Sequence, residues 1–148
     1  SRSHFNDVLF ENCDLSNIDF SGCSFFRAAF MDCKMMGTDF SGASMQHVTM
    51  KACNGRYANF ADSRTKDLLF IRCDLRNATL TALKPETPRF EACALQEAEL
   101  HHTPLKRIDL RDCEIAGMQA QPGNLRGATV TFLQAADLSR MLGIIVKE

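Results

Sequence analysis

The 148-residue sequence has no apolar run long enough to cross a membrane, and no apolar stretch follows its N-terminus as a secretion signal would require. Lys and Arg number 17 against 18 Asp and Glu, a formal net charge of −1, which supports neither a strongly basic nucleic-acid binder nor a strongly acidic chain. The seven cysteines contain no CxxC pair and are odd in number. That argues against a zinc ribbon, a dithiol redox motif and a disulfide framework. Without a secretion signal they read as reduced thiols, so a cytoplasmic location is expected. Phosphate-cradling glycine loops, HExxH and GxSxG are absent, and the acids show no paired-carboxylate pattern. His101 and His102, the one adjacent histidine pair, point in different directions on any extended coil and read as surface residues. Catalysis, a cofactor and a metal are therefore not expected. The chain lacks an initiating Met and enters its pattern at once, so processing, an added terminal scar or a truncated start is expected.

What is present is a period of five. From Phe5 to Val130 every fifth residue is Phe, Leu, Met, Ile or Val at 22 of 26 positions, the exceptions being Gly55, Thr65, Pro85 and Ala120. Two residues before each stands a mostly small one (Cys, Ala, Ser, Thr or Val, with occasional Ile or Leu), and all seven cysteines fall in that second set. Neither set carries a charge, as two inward positions per five residues require. Cys13, Cys33, Cys53, Cys73, Cys93 and Cys113 recur every twenty residues, so residues twenty apart should stack in one column. Cysteine suits such a site as a small apolar filler. Roughly six coils follow, a rod on the order of 30 Å long at about 4.8 Å per coil.

Three places depart from the pattern. Pro85 and Pro88 occupy inward positions where a ladder needs N–H groups, so an outward bulge is expected. Gln121-Pro122-Gly123-Asn124 reads as a weak turn, and Gly55 leaves a large inward site for Tyr57 or Met36 to fill. Beyond residue 130 the period changes. Residues 132–142 read as a helix whose Leu133, Leu138, Met141 and Leu142 share a broad apolar face, with Gly143 as its stop. Ile144-Ile145-Val146 is β-prone. A solenoid exposes apolar core at its ends, so this helix is expected to cap the last coil.

Cys13-Asp14-Leu15-Ser16-Asn17, Cys73-Asp74-Leu75-Arg76-Asn77 and Ala78-Thr79-Leu80-Thr81-Ala82 resemble the repeats of the pentapeptide-repeat family. The resemblance implies an all-β fold, a right-handed quadrilateral β-helix over residues 3–130. Residues 131–148 would then form a C-terminal capping α-helix and tail. Leu125-Arg126-Gly127-Ala128-Thr129-Val130, Gln134-Ala135-Ala136 and Leu142-Gly143-Ile144-Ile145-Val146 look like the C-terminal cap of the Qnr and MfpA group. That likeness implies a partner, a bacterial type II topoisomerase (gyrase or topoisomerase IV), bound by imitation of duplex DNA rather than by contact with nucleic acid or membrane. Modulation of the enzyme, or its protection from quinolones or toxins, would follow. It also implies a homodimer joined through Leu133, Leu138, Met141, Leu142, Ile144 and Val146. Two departures stand out: the chain is nearly neutral, and no loop is inserted between repeats.

Sorted by the twenty-residue period, the outward acids Asp14, Asp19, Asp39, Asp62, Asp74, Glu97, Glu99 and Glu114 gather on two neighbouring sides. They are the candidate partner-binding stripe. A further side shows Arg27, Arg64, Lys66, Lys84, Lys106, Arg107 and Arg126. The alternative function is an interaction scaffold for another protein partner. It is favoured if the outward apolar residues Leu9, Phe26, Met31, Leu69 and Ile71 cluster.

Overall fold

The computed structural model describes residues 3–148; Ser1 and Arg2, on which the reading of the chain's start rests, lie outside the described residues. The chain is a parallel β-solenoid followed by a short helix. Strands β1 (His4–Asn6), β2 (Leu9–Glu11), β3 (Ser24–Met31), β4 (Ser44–Lys51), β5 (Arg64–Ile71), β6 (Lys84–Pro85) and β7 (Arg89–Glu91) form one sheet. β1 and β2 pair with β3, β3 with β4, β4 with β5, and β5 with β6 and β7, all parallel. Partners are twenty residues apart, as in Phe5↔Phe25↔Met45↔Thr65. The same offset links single bridges from Asp14 through Lys34, Asn54, Asp74 and Ala94 to Glu114, and from Asp19 through Asp39, Asn59, Thr79 and Glu99 to Gln119.

Each coil thus has four sides of five residues. Faces 1, 2, 3 and 4 are centred on the columns that begin at Phe5, Phe10, Leu15 and Phe20. Except at Thr87, Asp112 and Pro122, the residue two beyond each centre, as far as Gly127, turns the corner with a left-handed backbone, as at Asn17 (φ 59°), Asn77 (φ 60°) and Gly42 (φ 64°). On faces 3 and 4 the turn is closed by an N–H three residues on, Thr38 to Met35 O at 3.2 Å and Ala43 to Phe40 O at 3.0 Å. Faces 1 and 2 are extended strand as far as Glu91, and beyond it they close in the same way, Ile108 to Leu105 O and Cys113 to Leu110 O both at 3.0 Å.

The core follows the five-residue register. Large inward residues from Phe20 to Ala120 are buried, with one exception, Pro85, which is exposed. Phe20, Phe40 and Phe60 stack at 5.5 and 5.0 Å, Phe10 and Phe30 at 4.7 Å, and Phe70 and Phe90 at 5.5 Å. Each ring therefore rests on the coil beneath, and each contributes about 1.5–3 kcal/mol through burial. The end coils are less covered: Phe5, Phe10, Cys13 and Leu15 are half-buried, and Ile18 is exposed, because no described coil lies beneath them. At Gly55 neither Tyr57 nor Met36 fills the site, since both point to solvent. Leu75 of the next coil leans over instead, its Cδ2 3.1 Å from where a Cβ would stand.

The small inward position has a second task besides fitting. The thiols of Cys33, Cys53, Cys73 and Cys93 donate to the carbonyls of Phe10, Phe30, Met50 and Phe70 at 3.2–3.4 Å, each 23 residues earlier. Thr38, Ser63 and Thr103 make the same bond with hydroxyls to Leu15, Phe40 and Leu80 at 2.8, 2.8 and 2.6 Å. Small residues with one donor tie each coil to the one below. Burial pushes Cys33 up to about 11 and Cys113 up to about 12. The neighbouring thiols, then burial, push Cys73 up as well, while its thiol draws Cys53, to about 7, and Cys93 down. Access decides reactivity in such a column. A thiol reagent followed by mass spectrometry should modify half-buried Cys13 first, and Cys53 or Cys73 only once denaturant is added; fast native labelling of either would show the column to be open.

Among the described residues, the ladder is broken at one level. Elsewhere a large inward residue donates its N–H to the carbonyl nineteen residues on, as Phe20 to Asp39 and Phe40 to Asn59, both at 2.7 Å. The counterpart on face 1 would run from Pro85 to Pro104, and proline has no N–H. In the other direction Ser44 donates to Cys23 and Arg64 to Ala43, but Pro104 has nothing to donate to Leu83. Side chains take over: the Thr87 hydroxyl donates to the Pro104 carbonyl, and the Thr103 hydroxyl accepts the Leu83 N–H at 3.1 Å. On face 2 the series Asn12 to Met31, Asp32 to Lys51, Ala52 to Ile71 and Arg72 to Glu91 stops before Ala92 to Arg111. Faces 3 and 4 stay closed at this level, Leu95 to Glu114 and Leu100 to Gln119 both at 2.7 Å. The expected bulge is therefore a seam across two faces. Pro85 turns outward, while Pro88 stays buried. The seam opens into cavities of about 400 Å³ beside Phe90 and Arg111 and about 180 Å³ beside Arg107 and Ile108. In hydrogen exchange read by NMR, the Ala92 amide should exchange about 10²-fold faster than those of Ala52 and Arg72. Equal protection at the three would mean that the seam closes in solution.

The C-terminal helix α1 spans Phe132–Ser139 and passes into a 3₁₀ turn, Arg140–Leu142, closed by left-handed Gly143 (φ 74°). Thr131 and Gln134 form a reciprocal capping box at its start. Leu138 and Met141 pack on the core, whereas Leu133 (82% exposed) and Leu142 do not, so the four leucine and methionine side chains do not share one buried face. Ile144, Ile145 and Val146 form no strand and lie exposed. No described helix is long and apolar enough to span a membrane.

Candidate functional site

A solenoid filled by side chains leaves its outer faces as the surfaces on which chemistry can be arranged. The structure divides the eight candidate acids between two faces. Asp19, Asp39, Asp62 and Glu99 stand on face 4; Asp14, Asp74, Glu97 and Glu114 stand on face 3. The two sets differ in company. Face 3 also carries Lys34, Arg56 and Arg76, and Arg76 pairs with Asp74 at 2.7 Å. Face 4 carries no Lys or Arg, and none of its four acids is ion-paired among the described residues.

Several of these acids also hold their own corner. The carboxylates of Asp14, Asp19 and Asp39 accept the N–H of Ser16, Ser21 and Ser41 at 3.1, 2.9 and 2.9 Å. Asn54 and Asn59 do the same for Arg56 and Ala61. These are side-chain-to-backbone turns in which Asn serves as well as Asp. The bonds hold the carboxyls of Asp14, through the Ser16 backbone, and Asp19, through the Ser21 hydroxyl, below the ordinary range, so both stay ionised. Arg76 does so for Asp74.

Face 1 is the opposite of face 4. It holds seven Lys and Arg against three acids, Asp7, Asp67 and Glu86. Asp7 is bound by Arg27 at 2.7 Å, and Asp67 by His47 at 2.8 Å and Arg89 at 3.2 Å. Arg64, Lys66, Lys84, Lys106, Arg107 and Arg126 have no ion-pair partner among the described residues. The near-neutral chain is thus the sum of strongly unequal sides.

On face 2 the outward apolar residues Leu9, Met31, Leu69 and Ile71 fall in two adjacent columns, which also hold Ala29, Thr49, Glu11 and Lys51. Phe26 lies apart on face 1, beneath the Arg27 guanidinium at 4.6 Å.

The end of the rod holds a groove of about 460 Å³ between α1 and the last coil, lined by Ile115, Met118, Leu138 and Met141. What fastens the cap is a residue absent from the candidate set. Gln134 is buried, and its Nε2 donates to Leu110 O at 2.7 Å and Cys113 O at 2.9 Å. The capping spacing Thr131-x-x-Gln134 was its signal in the sequence. His101 lines the groove, and His102 turns away toward Gln121, so the pair does not chelate.

Residues 3–80 match the family model described as the pentapeptide repeat region. A pentapeptide repeat protein of the Arabidopsis thaliana thylakoid lumen has 19% identity and a TM-score of 0.51 over 74% of this chain and 70% of its own. QnrB1, a plasmid-mediated fluoroquinolone resistance protein, has 20% identity and a TM-score of 0.44 over 99% and 94%. HetL of the cyanobacterium Nostoc, involved in heterocyst differentiation regulation, has 18% identity and a TM-score of 0.25 over 88% and 74%. No curated protein matches. At such an identity the likeness to the Arabidopsis protein speaks to the fold alone.

Proposed function

Because this chain belongs to the pentapeptide-repeat family, whose filled solenoid leaves no interior cleft for catalysis, we propose that it is a non-catalytic binding protein. Its partner is a bacterial type II topoisomerase, gyrase or topoisomerase IV. The observation that carries this reading is face 4, a flat side of the rod with no Lys or Arg and four acids without ion-pair partners among the described residues. A rod of about 30 Å with charge along one side can enter a groove built for duplex DNA, and long-range attraction would steer it there. The cap sequence that resembles the Qnr and MfpA group adds the choice of enzyme. The exposed Leu133, Leu142, Ile144 and Val146, beside the apolar groove under α1, support a homodimer joined end to end.

The test compares two triple variants in gyrase supercoiling and in rescue from a quinolone. Reversing Asp39, Asp62 and Glu99 should weaken the effect at least about ten-fold, and more than neutralising Arg64, Lys66 and Lys106. Raising salt should weaken the wild type as well. A failure confined to the basic-face variant would mean action on the enzyme without DNA imitation. A wild type without effect on either topoisomerase leaves the scaffold reading. The clustering of Leu9, Met31, Leu69 and Ile71 on face 2 favours that alternative, with an apolar protein surface as partner.

A further inference from the structure

We propose that cationic face 1 docks a second copy of this chain, which lays its acidic face 4 against it with the two rods antiparallel. The molecule carries its own complement. Six cations on face 1 and four acids on face 4 are without ion-pair partners among the described residues. Their order along the rod selects the orientation. Numbering coils upward, the acids Asp19, Asp39, Asp62 and Glu99 stand on coils 1, 2, 3 and 5. The cations stand on coil 4 (Arg64, Lys66), coil 5 (Lys84), coil 6 (Lys106, Arg107) and coil 7 (Arg126).

With rods antiparallel, Asp19 meets Arg126, Asp39 meets Lys106, and Asp62 meets Lys84. Glu99 then lies one coil, about 4.8 Å, from Arg64 and Lys66, within reach of those long side chains. A parallel pair matches three acids only after sliding by two coils, which removes about a third of the shared length of a 30 Å rod, whereas the antiparallel pair matches three with the rods in full overlap. Glu86, the acid left on face 1, is turned aside to the Asp67 N–H at 3.0 Å.

Two properties follow from the geometry. The contact rests on surface charges, so it is weak and charge-dependent. Faces 1 and 4 adjoin at a corner, so a copy that gives face 4 keeps face 1 free; the contact is heterologous and does not close on itself. Association would cover the face proposed to meet the topoisomerase, but it stands whatever face 4 binds.

The experiment is sedimentation of the full chain at about 100 µM in roughly 20 mM and 500 mM NaCl, with nuclease-treated samples. At low salt the average mass should rise with concentration without reaching a plateau, about two-fold or more above its value at high salt. Asp62→Lys with Glu99→Lys removes acids that close no turn, and Lys84→Glu with Lys106→Glu and Arg126→Glu reverses face 1. Corner position 62 accepts a basic residue, as Arg27 (φ 51°) shows on face 1. Each variant alone should stay at the high-salt mass, and an equal mixture should associate, because the intact face 4 of the face 1 variant meets the intact face 1 of the face 4 variant. A mixture that stays at the high-salt mass, or a wild type indifferent to salt, overturns the proposal. Association that nuclease removes would give face 1 to nucleic acid instead, and overturns it too.

Discussion

Phe40→Ala should destabilise the protein by about 3–5 kcal/mol, measured by equilibrium denaturation in guanidinium. Phe40 is fully buried, stacked between Phe20 and Phe60 at 5.5 and 5.0 Å and met edge-on by Phe25 and Phe30. In a globular core, neighbours from several directions can relax into a void. Here the rings above and below are fixed by their own coils, so the space stays largely empty. A loss below about 1 kcal/mol would mean that the column collapses around the gap, contrary to a ladder held at fixed spacing.

Removing residues 132–148 should turn the proposed homodimer into a monomer or an aggregate by light scattering. The deletion uncovers the last coil and leaves the Leu110 and Cys113 carbonyls without Gln134. It also removes Ile144, Ile145 and Val146, which lie exposed. The point variant Gln134→Leu separates the two effects. It should cost about 1–3 kcal/mol through unpaired carbonyls while leaving the tail for association. An unchanged dimer after the deletion would place the interface elsewhere.

The register was legible because a five-residue period with no insertion admits one winding, and the twenty-residue cysteine series fixes its coil length. Pro85 escaped the pattern because position alone does not reveal that its missing N–H faces another proline, Pro104, across the ladder. The Gly55 site looked like a task for near neighbours in sequence, yet Leu75 stands twenty residues on, directly above. The outward acids read as a single stripe, since a sequence does not tell a charge that closes a turn from one that is free. Asn54 and Asn59, standing in the same columns as Asp14 and Asp19, carried that hint. Ile144-Ile145-Val146 has the composition of a strand but no edge to join, because α1 covers the end of the rod.

The seam at Pro85 and Pro104 gives the rod a mechanical character that regular coils lack. Tension along the axis is carried by four rows of backbone hydrogen bonds in the coils below, but at this level by the two rows on faces 3 and 4, from Leu95 to Glu114 and from Leu100 to Gln119, with the Thr87 and Thr103 side-chain bonds on face 1. Those rows act as the leaf of a hinge. Load applied off-centre would gape the cut side and tilt Lys106 and Arg126, with α1 beyond them, relative to Asp19 and Asp39 at the other end. The stiff part of the molecule is the lower rod, and its compliance is concentrated in one joint.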